Sequence, residues 1–250
     1  MNLRHHKSQL DYGRSGITMQ LSPSSVRFCI STCKKFAPHT IPVIVPSLLA
    51  TGIAKEHILI VNGGWEAPLT LTDYEGVPML LTQQNAFEYT PLIEILENNI
   101  ASDYWFLLHD TCIAGPLFPS LALSLPVEAP EKVAMKGTPS MSIGLYRMDY
   151  LQRHRDRLMA IKNHDSSPEA LQYWKQWGVP NEDYMLWKLS DVPTHVYHPD
   201  RHGPDEWNYQ GHADPYNTGH ARRIEYFPQL DLYKAKSNWQ GVQPHLCIDI

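Results

Sequence analysis

Cysteine is scarce in this 250-residue chain: Cys29, Cys33, Cys112 and Cys247 are the whole set, and no two form a CxxC pair. All four fall on or beside predicted strands, so buried, reduced thiols are expected rather than a secreted disulfide framework, which points to the cytoplasm. Positive charge is not in excess either. The formal net charge of −5 gives no broad field for nucleic acid or anionic lipid, and neither partner is expected. Long apolar runs are missing too. The longest, Ile41–Ala54, contains Pro42 and Pro46 and is too short to span a bilayer, so no transmembrane segment is expected. The opening MNLRHHKSQLDYGRSG has no apolar core of the signal-peptide kind. No GxGxxG follows the first predicted strand, and GxxxxGK[ST] and HExxH occur nowhere. These absences argue against a dinucleotide fold, a P-loop and a zincin helix.

What is present is an ordinary apolar fraction, 43%, together with 20 prolines, 7 tryptophans and 13 tyrosines, many of them after Tyr173. The chain is long enough for a proper core, and its C-terminal part reads as loop-rich and aromatic. Met1–Ser25 is polar and aperiodic and is expected to be an extension. Residues 26–250 then read as one domain, with 26–115 a nucleotide-binding half and 116–250 an acceptor half ending in a C-terminal loop.

Apolar, β-rich runs predict strands at Val26–Ser31, His57–Val61, Val77–Thr82 and Tyr104–Leu108. Between them, Thr40–Ala54 reads as a helix with Pro42 in its first turn, and Thr90-Pro91 opens a second helix over LIEILENN. Strands that are apolar almost throughout are covered on both faces. The expected fold is therefore α/β: a Rossmann-like, mostly parallel sheet flanked by helices. Farther on, Ser142–Arg147 reads as a strand, Met148–Asn163 as a charged helix, and Glu182–Leu189 as a helix capped by Asn181. Beyond Ser190 the chain reads as loop.

The strand ends carry the chemistry. Ser31-Thr32, Asn62-Gly63-Gly64, Gln83-Gln84-Asn85 and His109-Asp110 all fall at carboxyl ends, where open α/β sheets bind ligands. An acid such as Asp110 at that edge can hold a divalent cation against a diphosphate, and it equally suits a turn or helix cap. Glu182 and Asp183 open a helix, where acids also complement the helix dipole.

A first strand ending in small hydroxyl residues, FLLHDT with its acidic tip, SIGLYRMDYL and NEDYMLWKL together resemble the GT-A class of nucleotide-sugar glycosyltransferases. That resemblance implies a nucleotide-sugar donor, a glycan, lipid-linked or protein acceptor, and Mn²⁺ or Mg²⁺ as cofactor. It implies Asp110 as the acid of the DxD motif, with His109 beside it, and Glu182 or Asp183 as catalytic base. His212 or His220, from GHADPYNTGH, would complete the metal shell. Ser31, Thr32, Asn62 and Asn85 would lie near the donor. The motif departs from the class by reading His109-Asp110-Thr111-Cys112, with one acid where two are expected, which leaves room for Arg222-Arg223 to hold the diphosphate instead. Two other readings share the scaffold: a non-catalytic carbohydrate-binding module on a degenerate transferase, and a sugar nucleotidyltransferase. Against the latter, the loop STCKKFAPHT has lysines but no glycine.

Overall fold

The computed structural model describes residues 21–86, 89–125, 132–135, 143–162, 195–197, 200–201 and 221–237. Most of the N-terminal extension, the helix expected at Glu182–Leu189, and Glu182, Asp183, His212 and His220 themselves lie outside these residues.

The first strand, β1 (Val26–Cys33), is followed by α1 (Ala37–Ala50), β2 (Ile58–Gly63), β3 (Thr70–Tyr74), β4 (Val77–Leu81), α2 (Tyr89–Glu97) and β5 (Tyr104–His109). Then come β6 (Cys112–Ala114), α3 (Phe118–Leu123), β7 (Lys132–Met135), β8 (Gly144–Arg147), α4 (Met148–Arg153) and α5 (Arg155–Lys162). Last are β9 (His195–Tyr197), β10 (Asp200–Arg201), β11 (Ala221–Phe227) and β12 (Leu232–Ser237).

The main sheet runs β3-β4-β2-β1-β5-β8-β7-β9. Its centre is parallel: β1 pairs with β2 and β5, and β2 pairs with β4. Antiparallel pairing enters through β3 with β4, β5 with β8 and β7 with β8. A Rossmann-like sheet flanked by helices is thus what the chain forms, and the central strands are buried along nearly their whole length.

Alternation along those strands divides the core into two. Ile30, Ile60 and Leu108 join Ile41, Ile44 and Leu48 of α1 and Phe118 of α3 on one face. Cys29, Leu59, Val61 and Leu107 join Leu92, Ile95 and Leu96 of α2 and Tyr150 of α4 on the other. Each such side chain that is fully buried contributes about 1.5–3 kcal/mol of transfer free energy.

Several boundaries depart from expectation. The first helix begins at Ala37, not Thr40, and carries Pro42 and Pro46 inside it. Pro38, Pro42 and Pro46 recur every fourth residue and all three are exposed. The N–H missing from each of the last two therefore leaves unpaired the carbonyl of the proline one turn earlier, on the solvent side where water replaces it. The charged helix expected over Met148–Asn163 is two helices broken at His154, both of which pack on α2. An edge strand, β3, was not expected. Its burial alternates only weakly and Leu71 is 72% exposed, so no apolar face marks it in the sequence. Strands β9 to β12 also fall in the stretch expected to be loop, and β10-β11-β12-β6 make a second, antiparallel sheet.

Asp231, in the β11–β12 turn, ties that second sheet to the β6–α3 connection. Its carbonyl accepts from the Gly115 N–H at 2.8 Å, and its carboxylate accepts from the Leu117 N–H at 2.9 Å and the Tyr226 hydroxyl at 3.2 Å. Position 115 must be glycine for this contact, since a Cβ there would overlap the Asp231 carboxylate.

Candidate functional site at the strand tips

Two residues beyond Ile30, Ile60 and Leu108, the same face of the sheet turns polar: Thr32, Asn62 and Asp110 project toward α1. Thr32 stands in register with Asn62, and Ser31 with His109, so three adjacent strands end level. At one inter-strand spacing each, the row from β2 to β5 spans about 10 Å.

Asp110 is 5% exposed and is held by the elements around it. Its Oδ2 accepts from Thr32 Oγ1 at 2.8 Å, and Thr40 Oγ1 of α1 stands 3.0 Å from the same oxygen. The single Thr40 proton is shared with the Phe36 carbonyl at 3.1 Å. On the other side, His109 Nδ1 lies 3.2 Å from Asp110 Oδ1. Burial pushes the Asp110 carboxyl upward, but the His109 contact, the Thr32 hydroxyl and the charge of Lys234 outweigh it and hold the group below the usual carboxylate range. Lys234 comes from β12 in the second sheet, is 6% exposed, and donates its ammonium to Thr111 Oγ1. Burial raises the nearby Cys33 thiol, and the Asp110 charge adds to that rise, so this thiol stays protonated.

Asn62 is 2% exposed. Its Nδ2 meets Met79 Sδ at 3.9 Å, while its buried Oδ1 has no hydrogen-bond partner among the described residues. The chain after Asn62 is tied closely to neighbouring tips: the Lys34 N–H donates to the Gly63 carbonyl at 2.8 Å, and the Trp65 N–H to the Thr82 carbonyl at 2.9 Å. Gly63 permits the approach, because a Cβ there would stand 2.5 Å from the Gln84 carbonyl oxygen. Asn85 is half-buried beside Gly64. Above this edge Lys34 Nζ sits 5.3 Å from the centre of the Trp65 ring, an exposed cation on an aromatic plane.

Of the expected donor residues, Thr32, Asn62 and Asp110 share one face of the sheet, with His109 joined to Asp110. Ser31, one residue before Thr32, alternates to the opposite face. Asn85 lies in the β4–α2 connection, beside Gly64 at the tip of β2. The backbones of Arg222 and Arg223 lie in β11. Thr40, Lys34, Trp65 and Lys234 were not anticipated. Thr40 carried no signal inside a helical run, but Lys34 and Trp65 follow directly after strand tips and were legible there.

The expected Mn²⁺ or Mg²⁺ would need a shell rich in oxygen ligands. Among the described residues Asp110 is the single carboxylate of the cluster, its Oδ2 already takes hydroxyl hydrogens, and a lysine charge bears on it. By itself that donor set does not make a divalent-cation shell, and the other two expected ligands, His212 and His220, lie outside the described residues. Among the described residues no group of three His, Cys, Asp or Glu comes together to hold a metal, and none of the helices is long and apolar enough to cross a membrane.

No family model and no curated protein matches the chain. Among solved structures, a glycosyltransferase involved in the glycosylation of the major capsid of PBCV-1 is similar over 69% of this chain and 82% of its own, with TM-score 0.37 and 11% identity. A protein from Aquifex aeolicus VF5 is similar over 71% of this chain and 89% of its own, with TM-score 0.35 and 13% identity.

Proposed function

We propose that this chain is a glycosyltransferase that takes a nucleotide diphosphate sugar as donor and a hydroxyl of a glycan, lipid-linked or protein acceptor as its target. The observation that carries the reading is Asn62 Oδ1, without a hydrogen-bond partner among the described residues and buried in one row with Thr32 and the ionised Asp110. A buried acceptor without a donor costs free energy that a ligand N–H or O–H can recover. Nucleosides present such groups on both base and ribose, and the carboxyl edge of a parallel sheet is where α/β folds receive them.

In this reading the donor's base or ribose satisfies Asn62, and Trp65 offers its ring as a flat wall. Lys34 and Lys35, directly after β1, supply positive charge for the leaving diphosphate. Asp110 works indirectly: with Thr32, Thr40 and His109 it fixes the tip of β5 against β1 and α1. The expected base, Glu182 or Asp183, takes the proton of the acceptor hydroxyl as that oxygen attacks the anomeric carbon, a contribution of typically ~10²–10⁴-fold in rate. The diphosphate departs with the electron pair of the broken glycosidic bond.

A thermal-shift panel of UDP-, GDP-, CMP- and dTDP-sugars, with and without Mn²⁺, tests the donor half. One nucleotide class is expected to raise the melting temperature by mass action. Failure of every donor in both conditions contradicts the reading. Transfer activity in Glu182→Gln and Asp183→Asn tests the base: one of the two is expected to lose at least ~10²-fold in kcat while donor affinity holds.

A further inference from the structure

On the face of the sheet opposite the Asp110 row, a cavity of about 540 Å³ opens beside the end of β4, lined by Thr82, Gln83, Glu94, Glu97, Asn98 and Lys162 among others. Its volume falls in the range of about 300–1,000 Å³ typical of small-ligand sites. Glu94 is 3% exposed, which makes it a built-in wall rather than a surface acid.

The hydrogen-bond accounting of this wall is one-sided. Thr82 donates its hydroxyl to Glu94 Oε1 at 2.5 Å. The Asn98 amide donates to Glu94 Oε2 at 3.0 Å and to the Glu94 carbonyl at 2.9 Å. Gln83 directs its amide N–H to the Glu66 carbonyl at 2.8 Å, and Lys162 pairs with Glu97 at the rim. The Thr82 hydroxyl and both Asn98 amide hydrogens are thus committed to Glu94, while Gln83 keeps one N–H and Lys162 part of its ammonium. Each Glu94 oxygen receives one bond and keeps a further acceptor site, and Glu97 adds a second carboxylate. Two carboxylates against one ammonium leave the lining net negative, so a phosphate is repelled. A ligand rich in O–H groups, and tolerant of an amine, is what an acceptor-rich wall of this kind selects.

We infer that the cavity walled by Glu94 is a binding site for a neutral or amine-bearing saccharide, distinct from the nucleotide row on the other face. The inference goes beyond the transferase reading and holds whether or not the chain turns over a donor. Glu94 also links this wall to the strand tips, because Thr82 Oγ1 accepts from the Gln84 N–H at 3.1 Å and the Gln84 carbonyl accepts from the Gly64 N–H at 3.2 Å.

The test is isothermal titration of the full chain with methyl α-glucoside, methyl β-galactoside, methyl α-mannoside, N-acetylglucosamine and glucosamine, without nucleotide. At least one is expected to bind. Glu94→Gln should weaken that binding about tenfold, the factor carried by losing one charge-assisted hydrogen bond. Glu97→Gln, at the exposed rim where the fold is not at stake, should weaken it about threefold, with the largest loss for glucosamine. UDP added to saturation should not displace the saccharide. The inference is overturned if no sugar of the panel binds, if both variants bind as well as the parent chain, or if UDP competes. Saccharide binding in a chain that binds no nucleotide sugar would sustain this inference while removing the transferase reading.

Discussion

Asp110 and Glu94 are two buried carboxylates toward the same end of one sheet, on opposite faces, and each holds the hydroxyl of a threonine from a strand tip, Thr32 in one case and Thr82 in the other. Their surroundings separate them. Asp110 is enclosed by a second hydroxyl, by His109 and by the charge of Lys234, so its own charge is answered from within the protein. Glu94 is answered by a hydroxyl and an amide and faces a cavity. Burial alone therefore does not say what an acid is for; what is left for a ligand depends on how fully the protein has already satisfied it.

If Asp110 is the closed member of the pair, removing it should cost more than any change at Glu94. Asp110→Ala is expected to destabilise the chain by about 3–5 kcal/mol in urea unfolding, because the Thr32 and Thr40 hydroxyls lose their buried acceptor and the buried Lys234 ammonium loses the charge that answers it. A loss below about 1 kcal/mol would erase the distinction. The acid limb sharpens it further. With its native pKa held below the unfolded value of about 3.9, Asp110 stabilises the fold fully above that value and loses the contribution as pH falls toward the native pKa. Unfolding midpoints measured between pH 6 and pH 2.5 should fall more steeply for the parent chain than for Asp110→Asn. Glu94→Gln should cost about 1–2 kcal/mol, since the amide keeps one acceptor for Thr82. Smallest of all, Glu97→Gln should shift stability by less than about 0.5 kcal/mol, as expected of a rim ion pair.

The same contrast governs how much could be read before the fold was known. The parallel centre was legible because VRFCIS, HILIV and YWFLL are apolar nearly throughout, and only strands covered on both faces need that. The row Thr32, Asn62 and Asp110 followed from it, because each is the polar residue that ends such a run. Strand β3 was not legible: an exposed edge needs no apolar face, and TLTDY has little of one. Nor was the enclosure of Asp110. Lys234 reaches this region from a second sheet, 123 residues from its partner Thr111, and no local pattern signals a contact of that separation. Glu94 was hidden for the converse reason, as an acid between apolar helical residues, where the sequence equally suits a surface position. Glu182 and Asp183 remain sequence expectations, each with its own mutational test, and His212 and His220 lie outside the described residues.

The central claim is that Asn62 is kept unsatisfied for a ligand. Asn62→Leu, nearly equal in shape, removes the orphaned oxygen, and melting temperature measured with and without the nucleotide sugar that stabilises the parent chain tests it directly. The ligand-free variant is expected to melt at or above the parent temperature, since replacing an unpaired buried polar group by an apolar one is neutral or stabilising, while the donor-induced shift disappears. A variant that keeps the full donor shift would contradict the account.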